Sequence, residues 1–153
     1  MSFPCQIVIR PAQPVMSVRT RASVGDLPRV IGAVYGQIMA YLSQQGEPPC
    51  GEPFVAYYNL DMQDLDLEIG FPVGRSLPGK DDIQASEIPA GDYGTCLYTG
   101  PYEKMESAYN ALQEHIHGQG RQVSGVAYEF YLNSPDQVPV EHLQTRILFQ
   151  LQP

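Results

Sequence analysis

The chain of 153 residues contains an internal duplication, and this repeat restricts the possible folds more than any other feature of the sequence. Several residues recur 74 positions apart: Tyr35 with Tyr109, Ile38 with Leu112, Tyr57 with Tyr131, and Asn59 with Asn133. Towards the end of each half the spacing becomes 78, relating Leu65 to Leu143, Ile69 to Ile147 and Phe71 to Phe149. We therefore expect two structural copies within a single domain, repeat one at residues 5–80 and repeat two at residues 81–153.

Each half shows the same order of elements: strand, helix, strand, strand. Apolar residues three and four positions apart predict a first helix between Asp26, a plausible N-cap, and Gly46, a C-terminal stop. A second helix opens at Gly100-Pro101, where proline suits the first turn. β-Rich or alternating segments predict strands at 6–10, 15–21, 54–59, 65–71, 83–88, 93–99, 126–132 and 143–151. The expected class is α+β, with antiparallel sheet and two helices on one face.

Two glycines, Gly32 and Gly36, lie one turn apart inside the first predicted helix. Each costs about 1 kcal/mol relative to alanine in a helix interior. We interpret them as a place where the sheet approaches the helix closely.

The predicted strand around Glu129 carries a carboxylate between aromatic residues. Because side chains alternate across a strand, Glu129 shares a face with Ala127 and Tyr131. The opposite face, where a helix could cover the strand, receives Tyr128, Phe130 and Leu132. Burying an unpaired carboxylate costs several kcal/mol, so Glu129 needs either water or a partner.

The duplication indicates that Glu129 is not part of the shared scaffold. Its counterpart 74 positions earlier is Val55, so the charge occurs in one copy only. A structural explanation is an ion pair with Arg121 or Arg146, or contact with solvent. The functional explanation, which we favour, is that the carboxylate meets a ligand.

Composition and charge exclude several classes of function. An apolar content of 43% is that of a globular protein, and a net charge of −8 disfavours direct binding to nucleic acid. The cysteines Cys5, Cys50 and Cys96 form no CxxC motif, so free thiols in a reducing cytosol are expected. Neither a secretory signal nor an apolar run near the ~20 residues of a membrane span is present. A cytoplasmic protein without membrane contact is expected.

Metal and nucleophile motifs are also missing from the sequence. Acidic residues cluster at Asp61, Asp64, Asp66 and Glu68, but their spacing does not match a calcium-binding EF-hand loop. Solvated turn and strand carboxylates explain them better. The histidines His115, His117 and His142 have no recognised ligand spacing, and no serine nucleophile elbow occurs. We expect no metal and no cofactor.

At the level of motifs, the sequence resembles the GyrI-like small-molecule-binding family, which includes effector domains of multidrug-responsive MerR-type and AraC/Rob-type transcription activators. Four segments carry the resemblance: Ile88-Pro89-Ala90-Gly91-Asp92-Tyr93, Thr99-Gly100-Pro101-Tyr102-Glu103, Gly70-Phe71-Pro72-Val73 and Tyr128-Glu129-Phe130-Tyr131-Leu132-Asn133-Ser134-Pro135. It covers nearly the whole chain. It implies two halves around a pseudo-twofold axis, a concave antiparallel sheet with the helices behind it, and a ligand cleft between the halves.

The resemblance also assigns candidate binding residues. The family's acidic residue falls on Glu129, and aromatic walls fall on Tyr57 and Tyr131, with Tyr35, Tyr93 and Tyr98 as further candidates. The chain has no tryptophan, which such walls often use, and Tyr109 or Tyr35 could take that place on the helices. No helix-turn-helix region accompanies the domain, so a regulatory role would act through a protein partner.

The leading interpretation is a stand-alone binding domain for hydrophobic, often cationic, aromatic small molecules. Aromatic rings attract cations by about 0.5–2 kcal/mol each, and one carboxylate supplies a preference for positive charge. The resemblance also implies an alternative from another class, since some free-standing family members resemble hydrolases of reactive cyclopropane-type genotoxic compounds. Glu129 would then be the general base, and Tyr57 or Tyr98 the hydrogen-bond donor. A third alternative is a protein-interaction role like that of the gyrase-inhibitor namesake.

Overall fold

A computed structural model describes residues 4–153, and this range contains eight strands and two α-helices. In chain order they are β1 (Cys5–Arg10), β2 (Gln13–Ala22), α1 (Leu27–Gln45), β3 (Phe54–Tyr57), β4 (Leu65–Pro72), β5 (Gln84–Ile88), β6 (Gly91–Thr99), α2 (Glu106–Gly118), β7 (Val123–Tyr131) and β8 (Gln144–Leu151). Short 3₁₀ helices occur at Tyr102–Lys104 and Val140–His142. Across residues 4–153 we find no helix with the length and apolar character needed to cross a membrane.

The elements form two compact units, each with four antiparallel strands and one helix. The first unit comprises residues 12–89, and its strands lie in the order β3-β4-β2-β5. The second unit comprises residues 4–11 and 90–153, with the order β1-β6-β8-β7. The predicted α+β class with antiparallel sheet is confirmed.

The outermost strand of each unit comes from the other half of the sequence. Strand β1 lies in repeat one by position, yet it pairs with β6. Strand β5 lies in repeat two by position, yet it pairs with β2. The segments at 6–10 and 15–21, which resemble one interrupted strand in sequence, are therefore two strands with different partners.

Equivalent aromatic contacts in the two units confirm the duplication. In the first unit the ring of Tyr35 on α1 lies 5.1 Å from that of Phe71 on β4. In the second unit Tyr109 on α2 lies 5.2 Å from Phe149 on β8. Each contact joins a helix to the second strand after it in the chain, as the sequence repeat requires.

Helix α1 begins and ends where the sequence predicts, but its two glycines have a different role from the one predicted. Asp26 is the N-cap residue without a capping side-chain bond, and Gly46 ends the helix in the left-handed conformation, with φ of 63°. The prediction of close packing at Gly32 and Gly36 is wrong, because a β-carbon at either position would meet nothing within 4 Å. Close approach occurs instead at Gly94 on β6, where a β-carbon would lie 2.4 Å from Ile116 of α2.

The core of the second unit lies between α2 and one face of its sheet. Leu112 and Ile116 of α2 pack with Cys96 of β6 and with Ile147 and Phe149 of β8. Ile147 is directly opposite Glu129 in the register of β7 and β8. The helix therefore covers the face that carries Glu129.

The prediction that a helix covers the opposite face of β7 is consequently wrong. Tyr128 and Phe130 are buried on that other face without α2. The ring of Tyr93 contacts Tyr128, with centroids 6.1 Å apart, and the Arg10 guanidinium lies 5.5 Å from the centre of the Phe130 ring. Alternation along the strand was predicted correctly, but it does not decide which face a helix will cover.

The acidic residues of β4 also differ from prediction. Glu68 is only 7% exposed, so it is not a solvated carboxylate. The hydroxyls of Ser17 and Tyr58 donate hydrogen bonds to its two oxygens, each 2.6 Å long. Asp66 forms a two-pronged ion pair with Arg19, at 2.8 and 2.9 Å. The first unit thus satisfies its own buried carboxylate.

Candidate functional site

Glu129 lies on β7, beneath α2, with a tyrosine hydroxyl on each carboxylate oxygen. Tyr109 of α2 donates a hydrogen bond to Oε2. Tyr131, two residues along the same face of β7, donates to Oε1 at 2.8 Å. Glu129 makes no salt bridge to any residue in the range 4–153. Neither structural partner proposed from the sequence is used, since Arg121 pairs with Asp92 and Arg146 lies opposite Phe130, on the other face.

Burial raises the pKa of Glu129 above the usual glutamate range. Desolvation by the surrounding aromatic and aliphatic groups is the dominant cause. The hydrogen bonds from Tyr109 and Tyr131 oppose it, because donors to the carboxylate stabilise the charged form. The net result is a carboxylate that is poorly solvated and holds its proton more tightly than a free glutamate.

Aromatic rings surround this carboxylate within the second unit. Tyr102, in the 3₁₀ helix after β6, places its ring 5.7 Å from that of Tyr131 in an edge-to-face contact. Tyr109 makes the matching contact with Phe149 described above. Burial together with the nearby Glu129 charge raises the pKa of Tyr102. Two tyrosines therefore contact the acidic group, and two further rings pack on those tyrosines. We call the set of Glu129, Tyr102, Tyr109, Tyr131 and Phe149 the acidic aromatic site.

Of the aromatic candidates from the sequence, Tyr131 belongs to this site directly. Tyr98 lies on the same face of the sheet, opposite Thr145, and its hydroxyl donates to the Pro101 carbonyl oxygen at 2.6 Å. Tyr93 lies on the other face, where it is fully buried against Tyr128. The structure thus separates Tyr93 from Glu129 by the thickness of the sheet.

The remaining two candidates belong to the first unit. Tyr57 is half-buried on β3, at the place that Tyr131 occupies on β7. Tyr35 is half-buried on α1 and packs on Phe71. Both occupy the positions that the sequence repeat assigns them. Their role in ligand binding stays a prediction.

Three members of the acidic aromatic site, Tyr102, Tyr109 and Phe149, were not among the candidate binding residues; Phe149 was noted only as the repeat partner of Phe71. Tyr109 was considered only as a replacement for a missing tryptophan, although its recurrence with Tyr35 marks it as a helix residue that faces the sheet. Tyr102 lies in the segment 99–103 that carried the family resemblance, but its apolar helix spacing suggested packing alone. A side chain near Glu129 in space, but 20 or more residues away in sequence, gives no local signal.

The arrangement is chemically suited to an organic cation and does not have the ligands of a metal site. Within the described part of the chain, no group of three or more histidine, cysteine or acidic side chains could hold a metal. A single carboxylate in a poorly hydrated environment attracts positive charge strongly, since the screening by water is reduced. Aromatic faces and edges add area for apolar groups.

The chain belongs to the family described as GyrI-like small molecule binding domain, which matches residues 3–152. No curated protein sequence matches the chain significantly. The resemblance inferred from the sequence motifs is therefore confirmed at the level of the family.

Solved structures support the same fold at low sequence identity. The C-terminal domain of EcmrR superposes with a TM-score of 0.81 and 18% identity, over 99% of this chain and 99% of that one. In a complex of EcmrR with DNA, the chain spans 57% of the EcmrR polypeptide. A hydrolase from Listeria innocua gives 0.72 and 13%, covering 97% of this chain and 91% of the other. The structure of SAV2435 bound to tetraphenylphosphonium gives 0.63 and 12%, with 99% and 94% covered.

Proposed function

We propose that the protein binds hydrophobic, cationic, aromatic small molecules at the acidic aromatic site, without converting them. The observation that carries the proposal is the carboxylate of Glu129, held by the hydroxyls of Tyr109 and Tyr131 and surrounded by rings. Membership of a small-molecule-binding family supports it, as does a neighbour of the same fold that binds tetraphenylphosphonium.

The physical basis is the high cost of the Glu129 charge in the free protein. Desolvation raises its pKa, so the ionised carboxylate is held at a disadvantage until a positive charge approaches. A lipophilic cation regains that electrostatic free energy and loses little hydration of its own, whereas a small hydrated cation loses much. Because few directional bonds are involved, we expect broad selectivity among flat or bulky apolar cations.

Isothermal titration calorimetry with tetraphenylphosphonium tests the proposal. Wild type should bind with micromolar affinity, and Glu129→Gln should bind at least about tenfold more weakly, which is roughly 1.4 kcal/mol. Glu68→Gln is the matched control, because it removes another carboxylate that accepts two hydroxyl hydrogen bonds, but in the first unit. Equal affinity in wild type and Glu129→Gln, or no binding to wild type, would exclude a cation site at Glu129.

A second candidate function is hydrolysis of a reactive, cyclopropane-type compound. The observation that favours it is the raised pKa of Glu129, since burial makes its ionised carboxylate a stronger general base toward water than an ordinary glutamate. Tyr109 would then orient the carboxylate. A neighbour of the same fold is a hydrolase from Listeria innocua.

Mass spectrometry separates the two functions. The protein is incubated with a cyclopropane-bearing electrophile, and a product heavier by one water is sought. A hydrolase should form this product in wild type and in Glu68→Gln, and lose it in Glu129→Gln. A binder should return the compound unchanged in all three.

A further inference from the structure

We propose that Thr145 is a second polar binding residue of the acidic aromatic site, and that its hydroxyl hydrogen-bonds to the ligand that Glu129 attracts. The inference rests on the proposed binding function and extends it to the class of ligand. Three independent features of the second unit support it: register, burial and the comparison between the two copies.

The strand register places Thr145 on the face that carries Glu129. On β8, Thr145 lies directly opposite Tyr131 of β7 and directly opposite Tyr98 of β6. The neighbouring row is Glu129, Ile147 and Cys96. Thr145 is therefore the diagonal neighbour of Glu129, at a Cα separation of about 7–8 Å for such pairs.

The Thr145 hydroxyl is buried without a hydrogen-bond partner. The residue is 0% exposed, and its Oγ1 contacts no donor or acceptor at hydrogen-bond distance within residues 4–153. Buried hydroxyls are nearly always hydrogen-bonded, because an unpaired one costs free energy. A valine at this position would fill the same volume without that cost.

The first unit shows what the position looks like without this hydroxyl. Leu67 lies opposite Tyr57 on β3 and β4, as Thr145 lies opposite Tyr131 on β7 and β8. In the next row Val55 faces Ile69, as Glu129 faces Ile147. Of these four paired positions, the two that are apolar in one copy and polar in the other are those of Glu129 and Thr145. Both polar residues therefore occur in the second copy, and both lie on the same face of its sheet.

A ligand reaches Thr145 if the segment after β6 moves. Both neighbours of Thr145 in its row contact this segment: Tyr131 through the ring of Tyr102, and Tyr98 through the Pro101 carbonyl. Tyr102 is 39% exposed and lies in a single 3₁₀ turn, so its ring can be displaced without breaking α2. A ligand that takes its place would present a positive charge to Glu129 and a hydrogen-bonding atom to Thr145, one diagonal spacing away. The favoured class is thus a lipophilic cation that carries a hydroxyl or carbonyl oxygen across an aromatic ring from its charge.

Two probes that differ by one oxygen test this assignment. Tetraphenylphosphonium has no hydrogen-bonding group, and (4-hydroxyphenyl)triphenylphosphonium adds one hydroxyl on the far side of a ring. Calorimetry gives the ratio of their dissociation constants for wild type, Thr145→Val, Thr145→Ser and Thr95→Val. Thr95 is the matched control, since its hydroxyl is also buried and unpartnered among the described residues, but on the opposite face of the sheet.

Wild type should bind the hydroxyl probe about fivefold more tightly, the effect of one ordinary hydrogen bond. Thr145→Val should bring the ratio close to one, while Thr145→Ser and Thr95→Val should keep the wild-type ratio. A preference that survives in Thr145→Val, or no preference in wild type, overturns the inference while leaving the cation site intact. If wild type binds neither probe, the proposed function is wrong, and the inference falls with it.

Discussion

Tyr109 on α2 donates a hydrogen bond from its hydroxyl to the carboxylate of Glu129 on β7. The helix that covers the sheet therefore also holds the acidic group in place. In the first unit, the equivalent helix tyrosine faces a copy of the strand that has valine at the equivalent position. The site consists of a few residue changes in one copy of a duplicated scaffold.

Removing the Tyr109 hydroxyl should change how binding depends on pH. The Tyr109→Phe variant loses a donor that stabilises the charged carboxylate, so the pKa of Glu129 should rise further. Because a cation binds the ionised form, tetraphenylphosphonium affinity should increase with pH, and the midpoint of that increase should lie at higher pH in the variant. Calorimetry across a pH series measures the midpoint.

The control is Tyr41→Phe in the first unit. It removes the hydroxyl of another buried tyrosine, which donates a hydrogen bond to the Pro78 carbonyl oxygen. Its midpoint should coincide with that of wild type. A midpoint for Tyr109→Phe at or below the wild-type value would show that the hydroxyl does not act on the Glu129 charge.

The stability of the ligand-free protein should also report the raised pKa of Glu129. A carboxyl whose pKa is higher in the folded than in the unfolded state stabilises the fold when protonated. This contribution is fully present below the ordinary glutamate value of 4.5 and is lost as pH rises through the folded-state pKa. Relative to Glu129→Gln, wild type should therefore lose unfolding free energy as pH rises above 4.5. Urea unfolding of both proteins at each pH measures the difference between their unfolding free energies. If this difference stays constant, or shifts in favour of wild type as pH rises, burial does not raise the pKa of Glu129.

The helices and strands were predictable because their signals are local, and the unusual position of Glu129 was predictable because the sequence repeats. Three- and four-residue spacing identified both helices, although the second was predicted to open at Gly100-Pro101 and α2 begins at Glu106, after a 3₁₀ turn. β-Rich or alternating segments indicated the strands, with β1 and β2 interpreted as one interrupted strand. The duplication acted as an internal comparison, and the difference between Val55 and Glu129 marked the acidic position from the amino-acid sequence alone. A chain without a repeat would not have offered that comparison.

Long-range choices were not predictable from these patterns. The pairing of β1 with β6, and of β5 with β2, depends on contacts between segments far apart in the chain. Helix α2 covers the face of the sheet on which Ile116 packs against Gly94, and a strand pattern does not predict that contact. For the same reason, Glu68 resembled a solvated carboxylate although Ser17, 51 residues earlier, reaches it.

A methyl group at Gly94 should weaken the packing of α2 on its sheet. The new β-carbon would lie 2.4 Å from Cδ1 and 2.7 Å from Cγ1 of Ile116, so that side chain must leave its present position. We expect Gly94→Ala to lose about 1–3 kcal/mol of unfolding free energy, the usual cost of overpacking. Gly74→Ala, where a β-carbon meets nothing within 4 Å, should stay within about 0.5 kcal/mol of wild type. Similar losses in the two variants would show that α2 does not approach the sheet closely at Gly94.

The three cysteines should differ sharply in reactivity. Burial raises the pKa of Cys96 to about 12 and also raises that of its neighbour Cys5, so neither forms much thiolate at neutral pH. Cys50 is exposed. Ellman's reagent should therefore label one thiol per native chain quickly and three after denaturation. Rapid labelling that persists in Cys50→Ser would mean that the β1–β6 pair opens readily.

The most direct test of the account compares tetraphenylphosphonium with tetraphenylborate, two ions of nearly the same shape and opposite charge. Calorimetry with wild type should show binding of the cation and at least about tenfold weaker binding of the anion, roughly 1.4 kcal/mol. In Glu129→Gln the preference should largely disappear, while Glu68→Gln should keep it. Equal affinities for the two ions in wild type, or an unchanged preference in Glu129→Gln, would contradict the conclusion that Glu129 makes this an aromatic site for cations.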